Sequence, residues 1–568
     1  RSPAARATAT LDRTPTASPS ISAMAAFVRL SLLAALLLPD GARALNSPQW
    51  LLAARRSPRA RTSNERHNAS APSTAASWVS PISGCQGFDC VLQYISLPDE
   101  TYAWKDTQAR LRGRAGGGRH GLANVSWTGY VLNMTSQTWR TGAQVNHPIW
   151  WHTLVVIVPD VVEFPDWATL TLDFGIHRAD GTVDVINNRF ATPEDEVELW
   201  IDSHNLNQSL HELKLAVYKA AFLAARTRAP AASLLNLPNG GEVFENDPVQ
   251  MDRTQDYLKV FTYLDFLDHT DEPERIVDLP IAKAVVRAMD TVSAFTAGLP
   301  TGAVKRFGVT GYSKLGTATY VTAAADSRVK AIVPAAVGTS IRLDGLPSEV
   351  GPVAAGVLRE MRRTYYKVNP SSVEAAYDFL TVGMPTPEFE RLSAILSPLQ
   401  FADRLTVPKL IVMGANDEAV EYWMRQVMDS WTSFPGPTAF LEVPNAAHDE
   451  VLPKSLGSSA AFFRGFLLGL TPPSVVSSWD PTQQTIGLTQ AGNTAVQPVA
   501  WRRWDAPIQA PLSSKSYTAE LMQAPSKGGA SSGPWSIAAA SRPSYSSFVE
   551  VEFEWPEPGY RFKVSSAE

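Results

Sequence analysis

Short apolar runs alternate with helix-patterned segments through the middle of the chain, and this alternation limits the fold more than any other feature. The runs Leu154–Val158 and Val329–Val333 are continuous and rich in β-branched residues, as are strands buried on both faces. The segments Leu210–Arg226 and Ile281–Ala297 have helical spacing and contain no glycine or proline. Together they predict an α/β fold, in which helices cover both faces of a mostly parallel sheet.

Composition excludes some classes of function. The 568 residues are 45% hydrophobic, which is enough for one large core and a smaller second one. A net charge of −5 with 18% charged residues is unlike the strongly basic surface of nucleic-acid-binding domains, so we expect no nucleic-acid partner. The sequence has neither an HExxH motif nor a Cys/His ligand set, and we therefore expect no metal and no cofactor.

Residues 24–44 have the layout of a secretory signal peptide. One basic residue, Arg29, precedes the apolar run Leu30–Leu38, and the small-residue pattern Ala42-Arg43-Ala44 follows. The apolar run is too short to span a bilayer, and a buried apolar helix is the alternative interpretation. We predict a secreted protein whose mature chain has no transmembrane segment.

The flanking segments carry no strong periodicity. Residues 1–23 are rich in Ala, Ser, Thr, Pro and Arg, and we interpret them as an upstream extension rather than part of the fold. Residues 45–80 are basic and rich in Ser and Ala, which predicts a disordered leader.

Two further features are typical of exported proteins. The only two cysteines, Cys85 and Cys90, lie close together in a loop, and we expect them to form a disulfide in an oxidising compartment. The chain also has four N-x-S/T sequons, at Asn68, Asn124, Asn133 and Asn207.

The domain organisation follows from changes in pattern. We assign residues 81–475 to the α/β domain and residues 345–399, which interrupt its rhythm with helical pieces and prolines, to a helical cap above the strand ends. Residues 476–568 are rich in Ser, Pro, Gly and Trp and end in alternating segments, which predicts a small C-terminal β domain.

Ser313 is the candidate nucleophile. The strand-like Phe307–Thr310 leads into Gly311-Tyr312-Ser313, and Lys314–Ala325 has helical character. A serine on a sharp turn between strand and helix is the nucleophile elbow of α/β-hydrolases, where the turn exposes the hydroxyl above the sheet. The second glycine is one position later than in G-x-S-x-G, at Gly316, so a helix N-cap serine is the alternative.

The acid and the base follow from chain order, which in this fold class is Ser, then Asp or Glu, then His. Of nine histidines, only His448 comes after Ser313, and it lies in a loop after an apolar run. Asp417 follows the strand-like Lys409–Met413, with Glu418 as the second choice. His448 would remove the Ser313 proton, and Asp417 would orient the imidazole.

The oxyanion hole needs two backbone N–H groups. One is expected from Lys314, directly after the nucleophile, and the other from the loop that follows the strand-like Ala168–Leu172. Within that loop we predict Gly175 or Ile176 as the donor.

Several segments resemble, in order, the PhoPQ-activated pathogenicity-related protein family of the α/β-hydrolase superfamily. The resemblance extends from about Val91 to the end of the chain. Its segments are Thr135–Arg140, Trp151-His152, Val156–Asp160, Arg253–Asp256, Leu279–Met289, Gly311–Gly316, Asp326–Ala331, Ser397–Leu405, Asp417, Pro444–His448 and Phe548–Ser565. The family implies an α/β-hydrolase fold, secretion, and the roles given to Ser313, Asp417 and His448.

The chain departs from the family where the oxyanion hole is expected, with Phe174-Gly175 in place of a Gly-Gly pair. We therefore carry two hypotheses. The first is a secreted serine hydrolase that cleaves a peptide, amide or ester bond, with a peptide or small ester or amide as its partner. The second is a catalytically inactive secreted signalling or adhesion protein on the same scaffold.

Overall fold

The computed structural model of the protein describes residues 80–115, 124–177, 183–184, 200–202, 210–247, 250–338, 387–417, 433–480, 482–483, 485–507, 523–528, 535–538 and 545–566. Several predicted features lie outside these residues. They are the upstream extension, the signal peptide, the leader up to Val79, the sequons Asn68 and Asn207, residues 345–386 of the cap, and Glu418.

The main sheet has ten strands. They are β1 (Ala103–Ala115), β2 (Val125–Thr138), β3 (Ile149–Pro159), β4 (Trp167–Leu172), β7 (Trp200–Asp202), β8 (Ala231–Leu234), β9 (Arg306–Tyr312), β10 (Val329–Ala335), β11 (Lys409–Gly414) and β12 (Thr438–Val443). Across the sheet their order is β12-β11-β10-β9-β4-β8-β3-β2-β1-β7. From β12 to β8 all neighbours are parallel, and from β8 to β7 all are antiparallel. A separate short ribbon pairs β5 (Ile176–His177) with β6 (Val183–Asp184).

The strand order changes direction at β4. The chain passes from β4 to β8 on one side, then crosses to β9 on the other side and continues outward to β12. Such a switch point leaves a crevice outside the carboxyl ends of the two strands, which is where open α/β sheets bind ligands. The functional site is therefore expected between the ends of β4 and β9.

Helices cover both faces of this sheet. They are α1 (Asp89–Ser96), α2 (Leu210–Thr227), α3 (Gln255–Asp268), α4 (Asp278–Ala297), α5 (Lys314–Ala325), α6 (Pro387–Leu396) and α7 (Val451–Leu467), with short 3₁₀ turns at Pro273–Arg275, Pro398–Arg404 and His448–Glu450. On one face α2 packs against α7, and on the other α4 packs against α1 and α5. The predicted mostly parallel sheet with helices on both faces is confirmed.

One central strand was not predicted. The strand β8 consists of Ala231, Ala232, Ser233 and Leu234, and all four are buried. Alanine and serine have low β-propensity, so nothing in this segment indicates a strand. Its small side chains allow α2 to pack closely on the sheet, and this packing with its neighbours β3 and β4 makes it a strand.

The C-terminal region forms two small antiparallel sheets, as the sequence pattern predicted for a β region. One has the order β13-β14-β17 and the other β16-β15-β18-β19. The strands are β13 (Pro473–Asp480), β14 (Thr485–Gly492), β15 (Pro498–Pro507), β16 (Gln523–Gly528), β17 (Trp535–Ala538), β18 (Tyr545–Glu554) and β19 (Arg561–Ser565).

This β region packs tightly on the α/β domain. Arg464 of α7 makes a salt bridge to Glu557 at 2.8 Å, and the Tyr560 hydroxyl donates to the carbonyl of Arg226 at the end of α2. The backbone N–H of Glu442 in β12 donates to the Ser565 hydroxyl at 2.7 Å. These contacts join the last strands to three elements of the main domain.

Cys85 and Cys90 form a disulfide, which confirms the predicted pairing. The bridge fixes the turn that precedes α1. Among the described residues, no helix is both long and apolar enough to cross a membrane.

The contact between α7 and the β region generates a stability prediction. Gly465 faces the buried ring of Trp555, and a Cβ at this position would lie 2.0 Å from the ring. Alanine is favoured over glycine in a helix by about 1 kcal/mol, but forcing atoms into a packed core costs about 1–3 kcal/mol. Because the overlap here is severe, we expect Gly465→Ala to lower the thermal unfolding midpoint by a few degrees.

Two further variants complete this test. Trp555→Phe in the Gly465→Ala background should recover part of the loss, because the smaller ring relieves the overlap. Gly142→Ala is the control, since no heavy atom lies within 4 Å of the added Cβ, and its midpoint should be unchanged. An unchanged midpoint for Gly465→Ala would contradict the prediction.

Candidate active site

Ser313 sits in a strained turn between β9 and α5. Its backbone has φ of 56° and ψ of −131°, a combination that side-chain-bearing residues adopt at a cost of about 1–3 kcal/mol. The strand pairing extends to this residue, because its N–H donates to the carbonyl of Ala335 at 2.9 Å. The Ser313 side chain makes no capping hydrogen bond to α5, so the alternative of an N-cap serine lacks its defining interaction.

The glycines on either side of Ser313 are required by close packing. A Cβ at Gly311 would lie 2.6 Å from the carbonyl oxygen of Leu315, and one at Gly316 would lie 2.5 Å from the side chain of Val337. Gly316 thus allows the start of α5 to approach the end of β10. This accounts for the position of the second glycine one residue later than in G-x-S-x-G.

Asp417 and His448 form a hydrogen-bonded pair. The Nδ1 atom of His448 lies 2.8 and 2.9 Å from the two carboxylate oxygens of Asp417. The Asp417 side chain is fully buried, and that of His448 is 16% exposed. An ionised carboxylate only accepts hydrogen bonds, so this contact favours the neutral imidazole tautomer with its proton on Nδ1 and a lone pair on Nε2. An imidazole in this tautomer can accept a proton at Nε2.

The backbone brings these two residues together. The loops after β11 and β12 are joined by hydrogen bonds from the N–H of Ala415 to the carbonyl of Val443, at 2.9 Å, and from the N–H of Asn416 to the carbonyl of Ala446, at 3.1 Å. Because β9, β11 and β12 are parallel, all three loops leave the same edge of the sheet.

The ring of His448 lies beside the residue that precedes Ser313, with 6.0 Å between the ring centroids of His448 and Tyr312. The candidate base is therefore next to the turn that carries the candidate nucleophile. In unliganded active sites the hydrogen bond between such groups is often long and shortens when substrate binds.

The loop after β4 also contacts the residues that flank Ser313. Phe174 packs edge-on against Tyr312, with ring centroids 4.9 Å apart, and the Lys314 ammonium lies 4.3 Å from the Phe174 ring. Phe174 thus contacts both neighbours of Ser313. Gly175 follows and is buried, and Ile176 begins the short ribbon with β6. The oxyanion role of Lys314, Gly175 and Ile176 stays a prediction.

A buried ion pair under this loop was not anticipated. Lys219 of α2 contacts the carboxylate of Asp173, and both side chains are almost completely buried. In the sequence, Lys219 is a polar residue within a mostly apolar helical segment, and it lies 46 positions away from Asp173. The one available signal was a lysine on an apolar helical face, which by itself does not identify a partner.

Among the described residues, no group of three or more His, Cys, Asp or Glu could hold a metal ion.

A buried carboxyl group lies in the loop between β8 and α3. Burial raises the pKa of Glu242 to about 8, and the nearby charge of Asp252 acts in the same direction. The amide of Asn239 and the backbone N–H of His147 donate to its oxygens at 3.4 and 3.3 Å, which opposes the shift only in part. Glu242 is therefore mostly protonated at neutral pH in the folded protein.

This pKa makes stability depend on pH. In the unfolded chain Glu242 ionises near the ordinary glutamate pKa of 4.5, whereas in the folded protein it holds its proton to about 8. The folded state binds the extra proton within this window, so the contribution of Glu242 to stability falls as pH rises from about 4.5 to about 8. We expect Glu242→Gln to reduce this fall and to raise the free energy of unfolding at pH 8.5 relative to the parent.

Denaturant unfolding at pH 5 and pH 8.5 measures this effect. Glu245→Gln, in the same loop but at an exposed position, is the matched control and should leave the pH dependence as it is. A Glu242→Gln protein with the parent's pH dependence would show that Glu242 does not hold its proton.

Among the solved structures similar to this chain are esterases, and their sequence identity to it is low. The acetyl xylan esterase 1 of Thermoanaerobacterium sp. is 12% identical, with a TM-score of 0.36, over 68% of this chain and 96% of its own. A glucuronoyl esterase of Solibacter usitatus is 11% identical, with a TM-score of 0.32, over 65% of this chain and 86% of its own.

Comparison with known sequences is more specific. The autocrine proliferation repressor protein A of Dictyostelium discoideum is 26% identical over 332 residues, which is 57% of this chain and 54% of that protein. The chain thus matches about half the length of this relative. The family model for PhoPQ-activated pathogenicity-related protein matches residues 122–509, which include the Ser313, Asp417 and His448 region. The chain therefore belongs to the PhoPQ-activated pathogenicity-related protein family, as its sequence segments predicted.

Proposed function

We propose that this protein is an extracellular serine hydrolase that cleaves a peptide, amide or ester bond through an acyl-enzyme. One observation carries the proposal: His448 is bonded to the buried Asp417 carboxylate at the sheet edge where the strained turn presents Ser313. A nucleophile, a base and a group that orients the base are the parts that acyl transfer needs.

In the proposed reaction, Nε2 of His448 takes the Ser313 proton as the hydroxyl oxygen attacks the substrate carbonyl. His448 then gives that proton to the leaving amine or alcohol, and Ser313 retains the acyl group. Water, deprotonated by the same imidazole, then attacks the acyl carbon, the bond to Ser313 breaks with release of the acid, and His448 returns the proton to the Ser313 oxygen. The Asp417 carboxylate stabilises the imidazolium formed in each step, which a buried carboxylate does well because little water screens it.

Export is part of the proposal. The signal-peptide pattern in residues 24–44 and the Cys85–Cys90 disulfide support it. Two of the sequons, Asn124 and Asn133, are at exposed positions, so a glycan could be attached at either without disturbing the core.

A second candidate is a secreted signalling protein that retains the scaffold without catalysis. The name of the relative described above, an autocrine proliferation repressor, motivates it. The residue pair Phe174-Gly175 also favours it, because Phe174 occupies space directly beside the elbow. On this hypothesis Ser313 can be replaced without loss of biological activity.

Covalent labelling and kinetics test the catalytic proposal. We expect a fluorophosphonate probe to label the folded protein on Ser313 and not to label Ser313→Ala. For an ester substrate, Asp417→Asn should lower kcat by about 10⁴-fold, since an amide at this position favours the wrong imidazole tautomer. Mass spectrometry of the labelled peptide and initial-rate measurements read out the two effects.

The matched control is Asp449→Asn, which changes an aspartate next to His448 that forms no part of the proposed triad and should leave kcat within about twofold of the parent. Circular dichroism of each variant establishes that it is folded. A folded parent that takes no label and hydrolyses no member of a panel of dipeptide amides and acyl esters would rule out the hydrolase and support the signalling protein.

Expression in a eukaryotic secretory host tests export. We expect the protein in the medium, with a mature N-terminus near Leu45, and a mobility shift on removal of N-glycans. The shift should shrink in Asn124→Gln and in Asn133→Gln, and Asn146→Gln, which is not in a sequon, is the control. A protein retained inside the cell with its first residues intact would contradict the prediction.

A further inference from the structure

We propose that Asp173, Lys219 and Ser233 form a buried positioning cluster that holds the loop after β4 in the conformation needed for the oxyanion hole. The inference rests on the proposed serine-hydrolase function and assigns a role to residues that do not themselves touch substrate. Its basis is the register of the sheet, the contacts of the cluster, and the contacts of the loop that it holds.

The sheet register sets where this loop begins. In the parallel pair β4 and β9, Thr171 is opposite Thr310, and in the parallel pair β4 and β8, Leu172 is opposite Leu234. When the register of β4 and β9 is continued past this last pair, Asp173 corresponds to Tyr312 and Phe174 to Ser313. The loop therefore leaves the sheet at the height of the nucleophile, at the strand-order switch point.

Groups from α2, from β8 and from the loop after β8 hold Asp173 at this point. Its carboxylate accepts a bond from the Lys219 ammonium of α2 on one oxygen and from the Ser233 hydroxyl of β8, at 2.9 Å, on the other. Its backbone N–H donates to the carbonyl of Leu234 at 2.8 Å, and its carbonyl accepts from the N–H of Leu237 at 3.3 Å. With both carboxylate oxygens and both backbone groups bonded, Asp173 has no freedom to rotate.

Burial makes this arrangement energetically demanding. Asp173 and Lys219 are 3% and 2% exposed, so both charges have lost their water. Apolar residues of similar volume often stabilise such a position as well as an ion pair does, or better. What the ion pair adds is direction, because charge-assisted hydrogen bonds fix the orientation of their partners. The residue whose orientation is fixed here is the one that starts the loop.

The loop is placed against the elbow as a result. Phe174, directly after Asp173, packs on Tyr312 at 4.9 Å between centroids and lies 4.3 Å from the Lys314 ammonium. The next backbone N–H groups, of Gly175 and Ile176, are the predicted second donors to the oxyanion. A shift of about 1 Å in Asp173 would be transmitted to those donors, and displacements of this size cost catalysts about 10²-fold.

The test uses the double variant Asp173→Asn with Lys219→Met, which removes both charges and leaves no buried ion without its partner. We expect it to fold, with kcat for an ester substrate lowered about 10²-fold, as for loss of one oxyanion donor, and KM within about twofold. The pH dependence of kcat/KM should keep its midpoint, because His448 and Asp417 are unchanged. Rates are expressed per site titrated with the fluorophosphonate probe, so that loss of folded protein does not count as loss of kcat.

Two further variants separate positioning from stability. Ser233→Ala removes one of the two bonds to the Asp173 carboxylate and should lower kcat by a smaller factor, of about 3 to 10. Asp265→Asn breaks another buried ion pair, with Arg140, outside this loop. It should lower the unfolding midpoint and leave kcat per titrated site unchanged.

The outcomes are distinct. A double variant that folds and keeps the parent's kcat per titrated site overturns the positioning role and leaves the serine hydrolase intact. The same holds if Asp265→Asn lowers kcat as much as the double variant does, since the effect would then be general to stability. A parent protein that neither labels nor hydrolyses any substrate overturns the proposed function, and the positioning role with it.

Discussion

Parallel strands buried on both faces impose the arrangement from which the rest of this structure follows. The strands β9, β10, β11 and β12 carry almost entirely buried side chains, so a group in the middle of these strands has no access to a substrate. Groups that react with a substrate are therefore expected at the ends of the strands, where loops begin and water has access. Parallel pairing puts all the carboxyl ends on one edge, and residues far apart in sequence, such as Ser313 and His448, converge there.

The strand-order switch then selects one position on that edge. At β4 the strand order changes direction, so the chain continues from β4 towards β8 and from β9 towards β10, on opposite sides of the crevice. This leaves room for the elbow on one side and the Asp173–Ile176 loop on the other. The unfavourable backbone conformation of Ser313 persists because pairing with β10 and the packing of α5 through Gly316 determine it from both sides.

Ionisable side chains have two different positions in this structure. Arg464, buried in α7, forms salt bridges to Glu163 of the main domain and to Glu557 of the C-terminal β region, and so links the two. The pairs of Asp417 with His448 and of Asp173 with Lys219 lie near the carboxyl ends of the strands, and we propose that they fix the direction of a side chain and of a loop. Glu242 keeps a raised pKa, because the hydrogen bonds from Asn239 and His147 to its carboxyl group do not offset its burial.

The sequence by itself determined those features that depend on local pattern and chain order. Continuous apolar runs identified the parallel strands, helical spacing identified α2, α4 and α5, and the rule that the acid and the histidine follow the nucleophile left His448 as the single candidate base. It did not reveal β8, because alanine and serine carry no strand signal and only their neighbours make that segment a strand. Nor did it reveal the pairing of Lys219 with Asp173 or the position of Phe174 between Tyr312 and Lys314. Such contacts depend on sheet register and helix packing, which bring together residues that no sequence spacing relates, and so only the tertiary structure decided them.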